Sequence, residues 1–201
     1  MSDSGDDAIE IERIETLSAE KFPLRKVRFA QRRQDGARES VEREVYELPQ
    51  SAVVLPIDRR RGTMLLARQL RLPPYLNGDS PRLIEACAGH IEAGDDAAET
   101  ARREAEEELG YRLDALTPLF VLYPSPALVT EKMHVFLAEY DPSRRISEGG
   151  GLAEEGEDIE TVELTLDEAW RMVASGDIVD IKTVLLVYHL KLSGALDTGR
   201  P

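Results

Sequence analysis

Residues 88–111 read AGHIEAGDDAAETARREAEEELGY, and eight of these 24 positions are Asp or Glu. Residues 96–109 contain neither Pro nor Gly, and Gly110 follows as a stop signal, so the spacing predicts a helix over 96–109. At about 100° per residue, Glu104 and Glu108 lie about 40° apart on such a helix, and Glu107 lies about 60° to the other side of Glu104. Three carboxylates then share one stripe, while Glu106 faces away and is read as solvated. Like charges at these spacings repel by a few tenths of a kcal/mol per pair unless a cation sits between them. An all-oxygen donor set suits Mg2+, with Mn2+ as a substitute, rather than zinc, which prefers nitrogen and sulfur.

A charge run on a helix is usually only a wet face, but the frame around this one is specific. Gly89 is followed by five residues and Asp95, then seven residues and the run Arg103-Glu104-Ala105-Glu106-Glu107-Glu108-Leu109-Gly110-Tyr111. This resembles the Nudix box, G-x5-E-x7-R-E-U-x-E-E-x-G-U with U apolar. Every fixed position matches except that Asp95 replaces a Glu whose family role is to orient the Arg, here Arg103. The resemblance implies an α+β fold, a Nudix-type α/β/α sandwich with a mixed sheet. It also implies hydrolysis of a nucleoside diphosphate linked to another group, with metal-activated water. Glu104 and Glu108 match the main metal ligands, Glu107 an auxiliary ligand and the Ala88 carbonyl a further one.

The similarity runs from about residue 17 to 192, toward the branch that holds ADP-ribose pyrophosphatases and GDP-mannose hydrolases. YLNGD, LIEACAG, LYPSPALVTE, GGGLAEEGEDIE and GDIVDIKTVLL are closest to the GDP-mannose group. The expected reaction is therefore Mg2+-dependent cleavage of GDP-mannose to GMP and mannose 1-phosphate. ADP-ribose, giving AMP and ribose 5-phosphate, is the alternative, and a non-catalytic nucleotide-binding domain a weaker one.

Carried over position by position, the catalytic set is Glu104, Glu108 and Glu155. Glu155 lies in the acidic loop SEGGGLAEEGED at 147–158 and would ligate metal or deprotonate the attacking water. Glu154 and Glu157 are its alternates, and Gly149-Gly150-Gly151 would supply hinge freedom for a closing lid. On the substrate side the resemblance places Arg71, Ala88, Gly89, His90, Ser125, Glu154 and Lys182, with Arg43 and Glu44 reaching the nucleotide from a partner subunit. Ser125-Pro126-Ala127-Leu128 stands where many relatives carry glycines. His90, His134 and His189 have no metal-ligand spacing and are read as structural.

The rest of the chain supplies the scaffold. Two buried strands are read in SAVVLPID and TMLLARQLRL, a short one in LIEACAG, and others in LTPLFVLYPSP, KMHVFLAEYD and IETVELTL. LDEAWRMVASGDI and IKTVLLVYHLKL read as helices. Residues 17–48 alternate around the hairpin signal Asp35-Gly36 and read as an antiparallel β ribbon for dimerisation. Residues 1–16 are read as a disordered acidic N-terminus, 49–192 as the hydrolase domain and 193–201 as a tail. The 201 residues carry a formal net charge of −14, which excludes non-specific binding to nucleic acid or anionic membrane. Cys87 is the only cysteine and is read as a small buried apolar residue. With no signal region or long apolar run, a cytoplasmic protein is expected, and the resemblance to a branch in which such a ribbon exchanges between subunits implies a homodimer.

Overall fold

A computed structural model describes residues 8–196, with Glu155 described by its backbone alone. The described residues divide into two compact units, one of residues 8–49 with 125–131, the other of residues 50–124 with 132–196.

The first unit is a three-stranded antiparallel sheet in chain order, β1 (Ile9–Ser18), β2 (Leu24–Arg32) and β3 (Arg38–Tyr46). The expected ribbon is β2 with β3, in unbroken register from Leu24↔Tyr46 to Arg32↔Arg38. Its turn closes where the sequence signal stood: Gly36 takes φ +85°, and the Asp35 carboxylate accepts the Ala37 N–H at 3.0 Å. β1 corrects the expectation of disorder over residues 9–16. Its acids are not a solvated tail but cross-strand partners, Glu12 to Arg28 at 3.2 Å and Glu10 to Arg38 at 2.7 Å. Ile9, Ile11 and Ile14 stand 55–59% exposed on this strand. The segment 125–131 belongs to this unit too: Tyr46 N–H donates to the Leu128 carbonyl, and Thr130 N–H to that of Tyr46.

The second unit is built on a mixed seven-stranded sheet. Its main order is β10 (Glu160–Thr165), β5 (Thr63–Leu70), β4 (Ser51–Asp58), β9 (Met133–Glu139) and β8 (Leu116–Leu122), with β6 (Arg82–Glu85) on β5 and β7 (Cys87–His90) on β4. β4 and β9 run parallel, and the other pairs are antiparallel. All eight residues of β4 are buried. Val53, Leu55 and Ile57 pack with Leu166, Ala169, Leu186 and Leu190 of the helices α3 (Leu166–Ser175) and α4 (Ile181–Ser193). Ala52 and Val54 pack on the opposite side with Ala101, Ala105 and Leu109. A strand covered on both faces reads as a continuous apolar run rather than an alternating one, which is why SAVVLPID was legible, and the two faces make the α/β/α sandwich.

Three local readings are corrected. LIEACAG is not one strand: Ala86 separates β6 from β7, and its N–H goes to Thr183 Oγ1 at 2.7 Å, 97 residues away. Thr183 is fully buried. Thr183→Val should orphan that N–H in the interior and lower stability by about 1–3 kcal/mol, seen as a lower urea midpoint at unchanged m. The strand TMLLARQLRL ends at Leu70, because Pro73 and Pro74 open a short helix α1 (Leu72–Leu76). The helix of 96–109 starts as expected, with the Asp96 carboxylate accepting the Ala98 and Glu99 N–H groups. It then changes pitch: α2 (Ala97–Glu104) passes into a π-helical turn over Ala105–Leu109, ended by Gly110 at φ +78°.

Candidate active site

The site is built where β7, α2 and the π turn meet. Glu104 and Glu108 are 9% and 2% exposed, an expensive place for carboxylates. Gly89 makes room for the first: a Cβ there would stand 2.0–2.5 Å from the Glu104 carboxylate atoms. Arg103 spans Glu104 at 3.1 Å and Glu107 at 3.2 Å. The expected help from Asp95 is therefore not what holds Arg103 here; the guanidinium lies along its own helix. Glu106 pairs with Arg112 at 3.1 Å, so it faces away as expected but is not merely solvated.

Glu108 is the most perturbed of these groups. Burial pushes its carboxyl up to about 8, and the charges of Glu104 and Glu157 push the same way, against the Cys87 thiol and Arg71. Cys87 is buried, as expected, and its thiol also donates to Glu108; burial and the neighbouring carboxylate both push that thiol upward. Glu108 Oε2 is buried with no hydrogen-bond partner. An acceptor left orphaned beside two other carboxylates fits a hard divalent cation, and Glu104, Glu108 and the Ala88 carbonyl would hold it with Glu107 beside them. Among the described residues no three Asp, Glu, His or Cys side chains already stand in metal-holding geometry, since Glu104 and Glu107 turn toward Arg103.

The glycine run plays a different part from the expected hinge. Gly150 N–H caps the Glu108 carbonyl and Gly151 N–H the Glu107 carbonyl, both at 3.0 Å. These are carbonyls that a helix end leaves unpaired, so the run is the C-terminal cap of the box helix. Of the loop acids, Glu157 is half-buried, accepts Leu152 N–H at 2.9 Å and has its charge felt by Glu108. Glu154 is exposed, and Glu155 closes a 3-10 turn over Ala153–Glu155.

Arg71 and Lys182 converge on a residue that the sequence reading missed. Glu85 is 2% exposed. It accepts Arg71 Nε at 2.8 Å and Nη2 at 3.1 Å, and Lys182 Nζ at 2.6 Å. Burial alone would raise its pKa, but the two cations hold it below the ordinary carboxylate value. A single acid inside the apolar stretch LIEACAG was the available signal, since a buried strand carries a charge only with a partner. Lys182 also reaches Asp180 at 2.9 Å.

His90 is exposed at the end of β7. His134 bonds Gln50 at 2.6 Å and His189 stacks edge-on against Phe120, both structural as expected. Arg43, Glu44 and Ser125 belong to the first unit. Arg43 is exposed and donates to the Glu42 carbonyl, and the Ser125 carbonyl accepts the Leu128 and Val129 N–H groups at 3.1 Å.

A glycine-cradled pair of buried glutamates, on a helix packed against one face of a mixed sheet, is the arrangement that the box motif encodes. Residues 48–184 match the NUDIX domain, and the chain belongs to the Nudix family. Residues 8–46 match the GDP-mannose pyrophosphatase NudK N-terminal domain. The chain is 43% identical over 191 residues to a GDP-mannose pyrophosphatase of Cronobacter sakazakii, covering 94% of this chain and 98% of that one. It is 43% identical over 194 residues to the GDP-mannose pyrophosphatase of Pectobacterium atrosepticum, covering 95% and 98%. The fold is shared with a crystal structure of an ADP compounds hydrolase, with TM-score 0.69 at 23% identity over 94% of this chain and 97% of that one.

Proposed function

We propose that this chain hydrolyses the diphosphate of a nucleotide sugar, GDP-mannose foremost, to GMP and mannose 1-phosphate. The observation that carries the proposal is the pair of buried carboxylates, Glu104 and Glu108, with one oxygen unpartnered and Gly89 clearing the space beside them. The relatives at 43% identity, which span nearly the whole chain, support the substrate. Bound Mg2+ would neutralise the diphosphate and lower the pKa of a water. Glu104 and Glu108, with Glu107 and the Ala88 carbonyl, would hold it. A loop acid takes the proton from the water as its oxygen joins phosphorus and the bridging P–O bond breaks. Glu155 is the first candidate for that acid, and Glu157 the rival on its proximity to Glu108. Arg71 offers its guanidinium to a phosphate. No helix among the described residues is long and apolar enough to cross a membrane, and a cytoplasmic enzyme is part of the reading.

The test is a panel of nucleotide sugars with ADP-ribose included, assayed for monophosphate release with and without Mg2+. GDP-mannose should lead. ADP-ribose in first place would move the assignment to the second substrate, and no release from any member would defeat the enzyme reading.

The proposal includes a homodimer formed through the N-terminal sheet. Three isoleucines exposed along β1 support it, because an apolar sheet surface is a liability until something covers it. In such a dimer Arg43 and Glu44 serve the partner's site. Arg43→Ala and Glu108→Gln chains, each inactive, should then regain up to about half of normal activity per exchanged heterodimer, which has one site with both lesions and one with neither. Proven subunit exchange without recovery, or a monomer by light scattering, would overturn the shared site.

A further inference from the structure

We infer that the first turn of α4, through Asp180, Lys182 and Thr183, is a positioning device for the candidate site, acting on Arg71 through Glu85 and on β7 through Ala86. The inference rests on the proposed function for the use of Arg71, but not for the linkage itself.

Three side chains on the path are buried and the fourth, Arg71, reaches the surface. Asp180 and Lys182 are 14% and 12% exposed, Glu85 3% and Arg71 42%. Lys182 has two carboxylate acceptors inside the protein and little surface to offer a ligand. With 12% of the side chain exposed, its third N–H has little open surface through which to meet a ligand. Its ammonium instead fixes Glu85 Oε2, the oxygen that also receives Arg71 Nη2. Because a guanidinium–carboxylate fork is planar and bidentate, fixing the Glu85 carboxylate plane fixes the Arg71 plane. The Nε and Nη2 edge of Arg71 is taken, so its Nη1 side is the side left for an anion. Without Lys182 the Glu85 carboxylate would keep one anchor, and a half-exposed arginine could swing with it.

Thr183 links the same turn to the backbone of the box. Its N–H and hydroxyl donate to Asp180 Oδ2, and its Oγ1 accepts the Ala86 N–H at 2.7 Å. Ala86 lies two residues before the Ala88 carbonyl and three before Gly89, so the point where the chain leaves β5 for β4 is set by a helix start. Asp180 ties the two arms together, with Oδ1 on Lys182 and Oδ2 on Thr183. Lys182 is thus a positioning residue, and Glu85, Asp180 and Thr183 join it.

The test reads the Arg71 Nε–H resonance by 15N NMR in the full chain, assigned by its absence in Arg71→Lys. In Lys182→Met it should shift and exchange with water at least about tenfold faster, while Lys182→Arg keeps it near its original position. An unchanged resonance in Lys182→Met would overturn the inference. If Lys182→Met does not fold, Glu85→Gln and Lys182→Gln carry the same measurement. In kinetics with the substrate that leads the panel, Lys182→Met and Arg71→Ala should each lower kcat/KM, and the double variant should be no worse than Arg71→Ala alone. Additive losses would mean that Lys182 acts independently of Arg71, which sinks the linkage. A wild-type chain that hydrolyses nothing would defeat the proposed function, and the NMR measurement would still decide this one.

Discussion

Glu108→Gln should abolish turnover and yet stabilise the metal-free protein, by an amount that grows with pH. Disturbing groups that merely support a metal ligand typically costs about 10–100-fold in activity or metal affinity, so loss of a ligand itself should exceed about 100-fold in kcat. The stability effect follows from the folded-state pKa of about 8 against an ordinary 4.5. Below pH 4.5 the carboxyl is protonated in both states and carries no penalty. As pH rises toward 8 the unfolded chain releases a proton that the fold retains, and stability falls until the folded group also ionises. At 1.36 kcal/mol per pKa unit the wild type loses on the order of 5 kcal/mol across that window. Glutamine removes the loss, so the Tm gain of the variant should be small at pH 5 and largest at pH 8–9. Adding Mg2+ at pH 8 should raise the Tm of the wild type and not that of the variant. A Tm difference that does not change with pH would sink the buried-carboxylate reading, and near-normal kcat at saturating Mg2+ the ligand assignment.

Gly149→Ala should be, with Gly110→Ala, among the most damaging of the glycine substitutions around the box. Gly149 sits at φ +72°, and a Cβ there would stand 2.4 Å from the Glu108 carbonyl oxygen and 2.8 Å from the Leu109 carbonyl carbon. Backbone cannot step aside as a side-chain tip can. The left-handed conformation costs about 1–2 kcal/mol and overpacking about 1–3 kcal/mol, so a loss of roughly 2–5 kcal/mol is expected. Gly176 is the control, at φ +84° with open space around it, and Gly176→Ala should cost only about 1–2 kcal/mol. Equal denaturation midpoints for the two variants would show that the loop is not packed against the helix end. Because the collision is with the Glu108 carbonyl, Gly149→Ala should also cut activity by displacing that residue.

What was legible in the sequence was whatever repeats locally. The apolar run 52–57 of β4, the Asp35-Gly36 turn and the spacing from Gly89 to Gly110 each carry their reading within one local stretch of chain, and they suffice for the sandwich and the glutamate pair. What was missed depends on a distant partner. Ala86 breaks a strand because Thr183 takes its N–H. The acids of β1 looked like a solvated tail because composition does not show that Arg28 and Arg38 of the neighbouring strands will reach them. The glycine run suggested freedom, but its conformations serve close approach to two helix carbonyls. Glu85 was half visible, as a lone acid in an apolar stretch, and only the fold shows that it gathers Arg71 and Lys182.

The parallel pairing of β4 with β9 has a consequence for the nascent chain. β9 begins about 75 residues after β4 ends, so at about 5–20 residues per second the ribosome delivers it roughly 4–15 s later. Throughout that delay an eight-residue strand with an apolar run at 52–57, destined for burial on both faces, lacks its parallel neighbour. Synthesis in cells therefore exposes the chain to aggregation or chaperone capture before β9 arrives. Slower growth at low temperature or added chaperone should favour soluble yield, and chains truncated before Met133 should accumulate as inclusion bodies.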